Sequence, residues 1–198
     1  VITVADLVRI RPYTVVDDAR LLSLMRLVRE ADRRQIPGDV VECGVARGGS
    51  AAVMAAVTSR HCWLYDSCQG LPAPQPVDGP EAPAYTGANQ TTPQTIAAAL
   101  TTLQVAPARV TLRAGWFEDT FLWPGPSLIA VLHIDADWYD SVWICLHTWY
   151  DYVVPGGVIV LDDYGFWPGC RQAYADFIAA RHLTPDLQRV GDQAWWQK

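Results

Sequence analysis

Four aspartates stand in two short runs that each close an apolar stretch: Asp135 and Asp137 in Leu132-His133-Ile134-Asp135-Ala136-Asp137, and Asp162-Asp163 after Val158-Ile159-Val160-Leu161. Both apolar stretches read as strands, and one helical crossover separates them. If the two strands are neighbours, Asp135, Asp162 and Asp163 converge at the sheet edge, where mutual repulsion raises their pKa values or calls for a cation. Oxygen-only donors suit Mg²⁺ or a similar hard ion. The competing reading makes them turn-forming or helix-capping residues, and Asp137 in particular is read as a cap before Asp140. A cation beside a weakly acidic hydroxyl lowers its pKa and orients it for in-line attack on a sulfonium methyl, while a carboxylate takes the proton. Hydride transfer has no use for such a cluster.

A second constellation lies earlier in the chain. Glu42-Cys43-Gly44-Val45-Ala46-Arg47-Gly48-Gly49-Ser50 leads from a strand into a helix whose N-terminus attracts negative charge, with Ser50 as the expected N-cap. Asp66 closes the next strand, where an acidic side chain commonly accepts hydrogen bonds from ribose hydroxyls. The pair suggests an adenosine-containing cofactor and does not by itself separate a dinucleotide from S-adenosylmethionine. Among the remaining polar groups, His133 reads as a hydrogen-bonded core histidine more readily than as a proton acceptor. Trp138, Trp143 and Trp167 flank the acidic cluster in sequence, where flat apolar faces suit a sugar or polyketide, and Tyr139 and Tyr164 adjoin it. Cys43, beside Glu42 on a buried strand, does not read as a nucleophile.

The elements that must position these residues follow from periodicity. Asp17 to Arg34 carries Leu21, Leu22, Leu24, Met25, Leu27 and Val28 at helical spacing, with Arg20, Arg26, Arg29 and Glu30 on a solvated face. Strands are expected at 39–43, 62–66, 109–113, 128–135 and 158–162, helices at 51–60, 95–103, 140–152 and 170–181, a turn at Pro155-Gly156-Gly157, and a terminal hairpin around Gly191-Asp192. Between Ser67 and Gln94 the prolines erase any hydrophobic period, so a functional, lid-like loop is expected over about 67–94. Nearly all-apolar strands alternating with helices imply an α/β fold: a mostly parallel sheet, covered on both faces, with ligands at the carboxyl ends of the strands.

Composition narrows the class. The chain has 198 residues, 51% hydrophobic, and a formal charge of −6, which suits one globular domain over 1–198 and argues against nucleic acid as a partner. No apolar run approaches the ~20 residues of a membrane span, and Val1 to Arg20 lacks the layout of a signal peptide. Five scattered cysteines without a CxxC pair suggest reduced thiols in a cytoplasmic protein.

Several of these motifs occur in order along the chain: Arg11-Pro12-Tyr13-Thr14, Ile36-Pro37-Gly38-Asp39-Val40-Val41-Glu42-Cys43-Gly44-Val45, Arg47-Gly48-Gly49-Ser50, Tyr65-Asp66-Ser67 with Gly70-Leu71-Pro72, Gly115 to Thr120, His133 to Asp137, and Asp162-Asp163-Tyr164. Together they resemble the macrocin O-methyltransferase (TylF/MycF) family from about Arg11 to Lys198. The resemblance implies a Rossmann-like class I methyltransferase fold with a seven-stranded sheet, and S-adenosylmethionine- and Mg²⁺-dependent methylation of a hydroxyl, commonly on a sugar of a natural product. By position, Thr14, Glu42, Gly44, Ser50, Asp66, Ser67, Trp116, Phe117 and Asp135 would bind the cofactor. Asp135, Asp162 and Asp163 would hold the metal, and Asp135 would be the general base. Trp138, Tyr139 and Tyr164 are the substrate candidates. The rivals are a catechol or phenol O-methyltransferase of the same fold and a non-catalytic scaffold that binds S-adenosylmethionine. A nicotinamide-dependent dehydrogenase is disfavoured by the absence of GxGxxG. The expected partner is a small glycosylated acceptor, and homo-oligomerisation is left open.

Overall fold

The computed structural model describes residues 2–198. Its elements in chain order are α1 (Val4–Ile10), α2 (Asp18–Arg33), β1 (Asp39–Cys43), α3 (Gly49–Ala56), β2 (Cys62–Asp66), α4 (Pro93–Thr102), β3 (Val110–Ala114), α5 (Phe117–Thr120), β4 (Ile129–Ile134), α6 (Tyr139–Trp149), β5 (Val153–Leu161), α7 (Pro168–Ala180), β6 (Gln188–Val190) and β7 (Gln193–Gln197). The seven strands form one sheet in the order β3-β2-β1-β4-β5-β7-β6. Five are parallel, and the terminal hairpin adds β7 and β6 antiparallel. This is the expected class I architecture, with the order reversing between β1 and β4, where a doubly wound sheet opens a crevice.

Side-chain alternation divides the sheet into two faces. Val40, Val131, Val158 and Val160 pack against α1 to α4, with Leu21, Leu24 and Val28 of α2 fully buried there. Each such side chain contributes roughly 1.5 to 3 kcal/mol. Val41, Cys43, Leu132, Ile134, Ile159 and Leu161 face the opposite layer, built from α6, α7 and the aromatic side chains Trp138, Trp149, Trp167 and Phe177.

Three local expectations are corrected, and one helix is added. Pro155-Gly156-Gly157 is not a turn before a strand but an interruption within β5: Ile129 pairs with Val153 and Val131 with Val158, so the extra residues bulge out, with Gly156 at φ +83. Ser50 is not the N-cap of α3; that position is Gly48, at φ +94, which has no side chain to offer. Asp137 does not cap α6, whose N-cap is Trp138 without a side-chain bond. A helix at Val4–Ile10 was not anticipated, although Thr3 and Asp6 form a reciprocal capping box that the sequence carries openly.

The sheet edge above β1 and β4 depends on one glycine. Gly44 follows β1 at φ +84, and a Cβ there would lie 1.7 Å from the Asp135 carbonyl oxygen. The Asp135 N–H donates to the Cys43 carbonyl at 2.8 Å, and the Gly44 N–H to the Tyr65 carbonyl at 2.9 Å. Only a residue without a side chain lets the two strand ends come this close. Gly44→Ala is expected to destabilise the fold by about 3 kcal/mol or more, read as a lower urea midpoint at unchanged slope.

Candidate active site

A cavity of about 570 Å³ opens at the carboxyl ends of the parallel strands. At one end lies the β1–α3 loop. Its conformation is held by Asp66, whose Oδ2 accepts from the N–H groups of Val45 (2.7 Å) and Ala46 (2.9 Å) and whose Oδ1 accepts from Cys68 (2.7 Å). Because Gly48 caps α3 with no side chain, the first-turn N–H groups are left to a ligand, as at other helix N-termini that take negative charge. Thr14, Gly44, Ser50, Asp66, Ser67, Trp116 and Phe117 all line this cavity. Thr14 and Tyr13 reach it because α3 begins with glycine: a Cβ on Gly49 would meet Thr14 Cβ at 2.5 Å.

Glu42, expected among the cofactor residues, does not line the cavity. It stands beside His133 in the β1–β4 register, so both side chains fall on the same face of the sheet, and each is fully buried. Glu42 Oε1 lies 2.9 Å from His133 Nδ1, and His133 Nε2 lies 3.7 Å from Asp162 Oδ1. Burial alone would lower the His133 pKa, but the carboxyls of Asp162 and Glu42 raise it to about 10. His133 is thus a paired core histidine.

At the other end of the cavity are the strand-end aspartates. β4 and β5 are neighbours, so the runs do converge. The oxygens that lie within 4.8 Å of one another belong to Asp135, Asp137 and Asp163. Asp162 continues the Val158 and Val160 face, which packs beneath α2, and there its Oδ2 accepts from Arg20 Nη1 at 2.6 Å and its Oδ1 from Gln193 Nε2 at 3.0 Å. Arg20, expected on a solvated face, is turned inward with its side chain only 15% exposed, and its Nε pairs with Asp17.

These partners separate the four carboxyls. Asp162 is held below the usual carboxylate range: burial pushes it up, and His133 and then Arg20 pull it down further. Asp135 and Asp163 are pushed well above that range, first by burial and then by the charges of their neighbours. Asp137 is raised to about 6 for the same first reason, although Trp167 Nε1 donates to its Oδ1 at 2.8 Å. Among the described residues Asp163 Oδ2 is buried with no hydrogen-bond partner. Closely spaced oxygens with no ion-pair partner among the described residues, one of them orphaned, fit a hard divalent cation.

The substrate candidates divide. Trp138 lines the cavity, its Nε1 donating to the Pro72 carbonyl at 2.9 Å. Tyr139 and Tyr164 do not line it: the Tyr139 hydroxyl donates to Asp176 while its ring stacks on Trp143, and Tyr164 packs on Tyr174 with Arg189 over its ring. The first turn of α6 aims Tyr139 outward and presents Asp140 and Ser141 to the cavity instead. Sequence reasoning missed Arg20, Asp78 and Asp137; the two-residue spacing of Asp135 and Asp137 was the one available signal, since Arg20 and Asp78 reach the site only through tertiary packing.

Comparison with known proteins agrees with this geometry. The family described as Macrocin-O-methyltransferase (TylF) matches residues 5–198. Demethyldecarbamoylnovobiocin O-methyltransferase of Streptomyces niveus is 28% identical over 198 residues, 94% of this chain and 76% of that protein. The 8-demethyl-8-(2,3-dimethoxy-alpha-L-rhamnosyl)-tetracenomycin-C 4'-O-methyltransferase of Streptomyces olivaceus is also 28% identical, over 93% of this chain and 75% of that protein. The solved structure of the O-methyltransferase NovP superposes with a TM-score of 0.88 at 27% identity, covering 94% of this chain and 82% of that one. With its sheet order, its glycine loop and its acidic strand ends in one cavity, the chain belongs to the macrocin-O-methyltransferase (TylF) family and is an S-adenosylmethionine-dependent O-methyltransferase.

Proposed function

We propose that the protein methylates a sugar hydroxyl of a secondary metabolite, and that a divalent cation, Mg²⁺ or a close relative, sits at the acidic end of the cavity. The observation that carries this reading is that the uncompensated trio Asp135, Asp137 and Asp163 shares one cavity with the glycine loop and the uncapped start of α3. The relative named for a rhamnosyl-bearing tetracenomycin supports the acceptor class. Among the described residues no helix is long and apolar enough to cross a membrane; a cytoplasmic location is part of the proposal and rests on the five scattered cysteines without a CxxC pair.

The chain's own residues divide the work. Gly44, Ser50 and the α3 N-terminus receive the carboxylate end of the methyl donor, and Thr14 and Ser67 flank it. Asp66 holds the loop in shape and keeps lone pairs for the ribose hydroxyls, while Trp116 and Phe117 present flat faces to the adenine. When bound, a cation at the acidic end would acidify and orient the acceptor hydroxyl. Asp135 and Asp163 would hold that cation together with Asp137, and Asp162, fixed by Arg20 and Gln193, adds negative charge beside them. Asp135, which follows β4 and lines the cavity, is the proton acceptor. Trp138, which supports the covering segment through Pro72, walls the acceptor side.

Calorimetry tests the two ends separately. S-adenosylhomocysteine is expected to bind with or without Mg²⁺. Asp163→Asn is expected to weaken Mg²⁺ by about tenfold or more while leaving S-adenosylhomocysteine within about threefold. Asp162→Ala, which strands the Arg20 guanidinium beside the cluster, is expected to weaken Mg²⁺ as well. No S-adenosylhomocysteine binding in any sample would overturn the reading at its base.

The raised carboxyl pKa values carry a sign. In the metal-free protein, Asp137 favours the fold most when it is protonated. That stability is fully present below the unfolded carboxyl pKa of about 4 and is lost as pH rises through about 6. A cation replaces the lost protons, so Mg²⁺ should raise the melting temperature clearly at pH 8 and hardly at pH 5. An equal rise at both values would argue against these carboxyls as the ligands. Offered a catechol, a phenol and a rhamnosyl-bearing metabolite with labelled S-adenosylmethionine, the protein is expected to label the glycoside. Labelling of the catechol alone would reassign the acceptor.

A further inference from the structure

The segment between β2 and α4 carries one side chain that neither end of the cavity explains. Asp78 is fully buried although it lies in a segment that crosses the surface. Its Oδ1 accepts from the Tyr139 N–H at 2.7 Å, and its Oδ2 from the Gln75 N–H at 2.7 Å. Tyr139 is the first residue of α6, and the N-cap Trp138 makes no side-chain capping bond. Asp78 therefore supplies from a distant part of the chain the oxygen that a local Ser or Asp usually gives, at the helix end that favours negative charge.

The surroundings are shaped for it. Gly169, at the start of α7, passes so close that a Cβ there would lie 1.8 Å from Asp78 Oδ1. The same segment is tied a second time where Trp138 donates to Pro72, and a third time where Tyr85 packs edge-on against Trp167. What Asp78 fixes is the end of a tight turn. Asp137, at φ +56, is bonded to Trp167, and the Trp138 N–H folds back onto the Ala136 carbonyl at 2.6 Å. β4 sets this turn from one side through Asp135, and the Asp78–Tyr139 bond sets it from the other.

We infer that Asp78 is a positioning residue: it latches the covering segment onto the start of α6 and thereby holds Asp137 at the acidic cluster and keeps the acceptor side of the cavity walled. The inference rests on the reading of that cluster as a cation site. It assigns the Pro-rich segment a definite resting place, with Leu71, Pro72, Ala73 and Asn89 facing the cavity as its wall.

The test uses Asp78→Ala and Gly169→Ala, which disturb the same contact from opposite sides, with Asp78→Asn as the conservative variant. Amide hydrogen exchange reads the latch, Mn²⁺ affinity from the free-ion resonance signal reads the cluster, and calorimetry with S-adenosylhomocysteine reads the far end. In both alanine variants, exchange across residues 72–85 and at Tyr139 is expected to accelerate about tenfold or more. Mn²⁺ affinity should fall by about tenfold, the size of effect usual for a partner that orients a ligand, with S-adenosylhomocysteine affinity within about threefold. Asp78→Asn keeps an acceptor oxygen for the Tyr139 N–H and should retain most of the Mn²⁺ affinity; if Asp78→Ala fails to fold, Gly169→Ala carries the test, and unchanged Mn²⁺ affinity in that variant with the segment opened overturns the proposal. Unchanged Mn²⁺ affinity in an opened Asp78→Ala overturns the proposal, because Asp78 would then anchor a loop and nothing more. Unchanged protection at Tyr139 overturns it too. Failure of the unaltered protein to bind Mn²⁺ would count against the cation reading instead, and the exchange result would then decide the latch alone.

Discussion

The ends of β4 and β5 bring four aspartates into one corner of the sheet, and much of the surrounding structure answers that crowding. Like charges at this spacing cannot all stay ionised without positive partners. Arg20 comes in from α2 and takes Asp162, with Gln193 of β7 and His133 of β4 completing its surroundings. Trp167 donates to Asp137 from the start of α7. Among the described residues no arginine or lysine pairs with Asp135 or Asp163. The N-terminal helices, the terminal hairpin and the α6–α7 layer are therefore all fastened to this corner, and what they leave uncompensated is what a metal ion would complete.

The end proposed for the cofactor follows a different logic. It is made of backbone: a loop bent by Gly44 and Gly48, a helix start with no side-chain cap, and Asp66 accepting three N–H groups to keep the bend. Backbone donors suit a ligand whose carboxylate must be held without adding more charge to an already acidic cavity. The two ends are distinct because β1 and β4 lie side by side at the reversal of strand order, and they meet where the backbones of Gly44 and Asp135 approach closely. The covering segment runs across both, and its burial of Asp78 and Ala82 makes it part of the wall.

Most elements are legible along the chain because their signals are local. The β1 and β2 strands show as short apolar runs bounded by glycine or a polar turn, and the final hairpin announces itself at Gly191-Asp192. The failures are equally physical. Ser50 has the right chemistry for a cap, yet the helix starts two residues earlier because Gly48 takes a conformation that serine avoids. Pro155-Gly156-Gly157 has turn chemistry, yet β4 continues beside it and recaptures the strand on both sides of the bulge. Tyr139 and Tyr164 are adjacent in sequence to the acidic residues, but adjacency carries no direction, and helix and turn geometry point both away from the cavity.

By itself the sequence determined the doubly wound sheet, the strand ends at which chemistry sits, and the concentration of carboxyls there, because periodicity and residue type act over a few neighbours. Only the tertiary structure decided which carboxyls face one another. Alternation along β5 sends Asp162 beneath α2 and Asp163 to the other side, where Asp137 waits, and Arg20 neutralises one member of the group from a helix far away in the chain. It decided as well that Glu42 pairs with His133 instead of lining the cavity, and that Asp78 caps a helix it does not precede. Those outcomes depend on which elements pack together, and packing partners are chosen by the buried surface of the whole sheet, which no short stretch of sequence encodes.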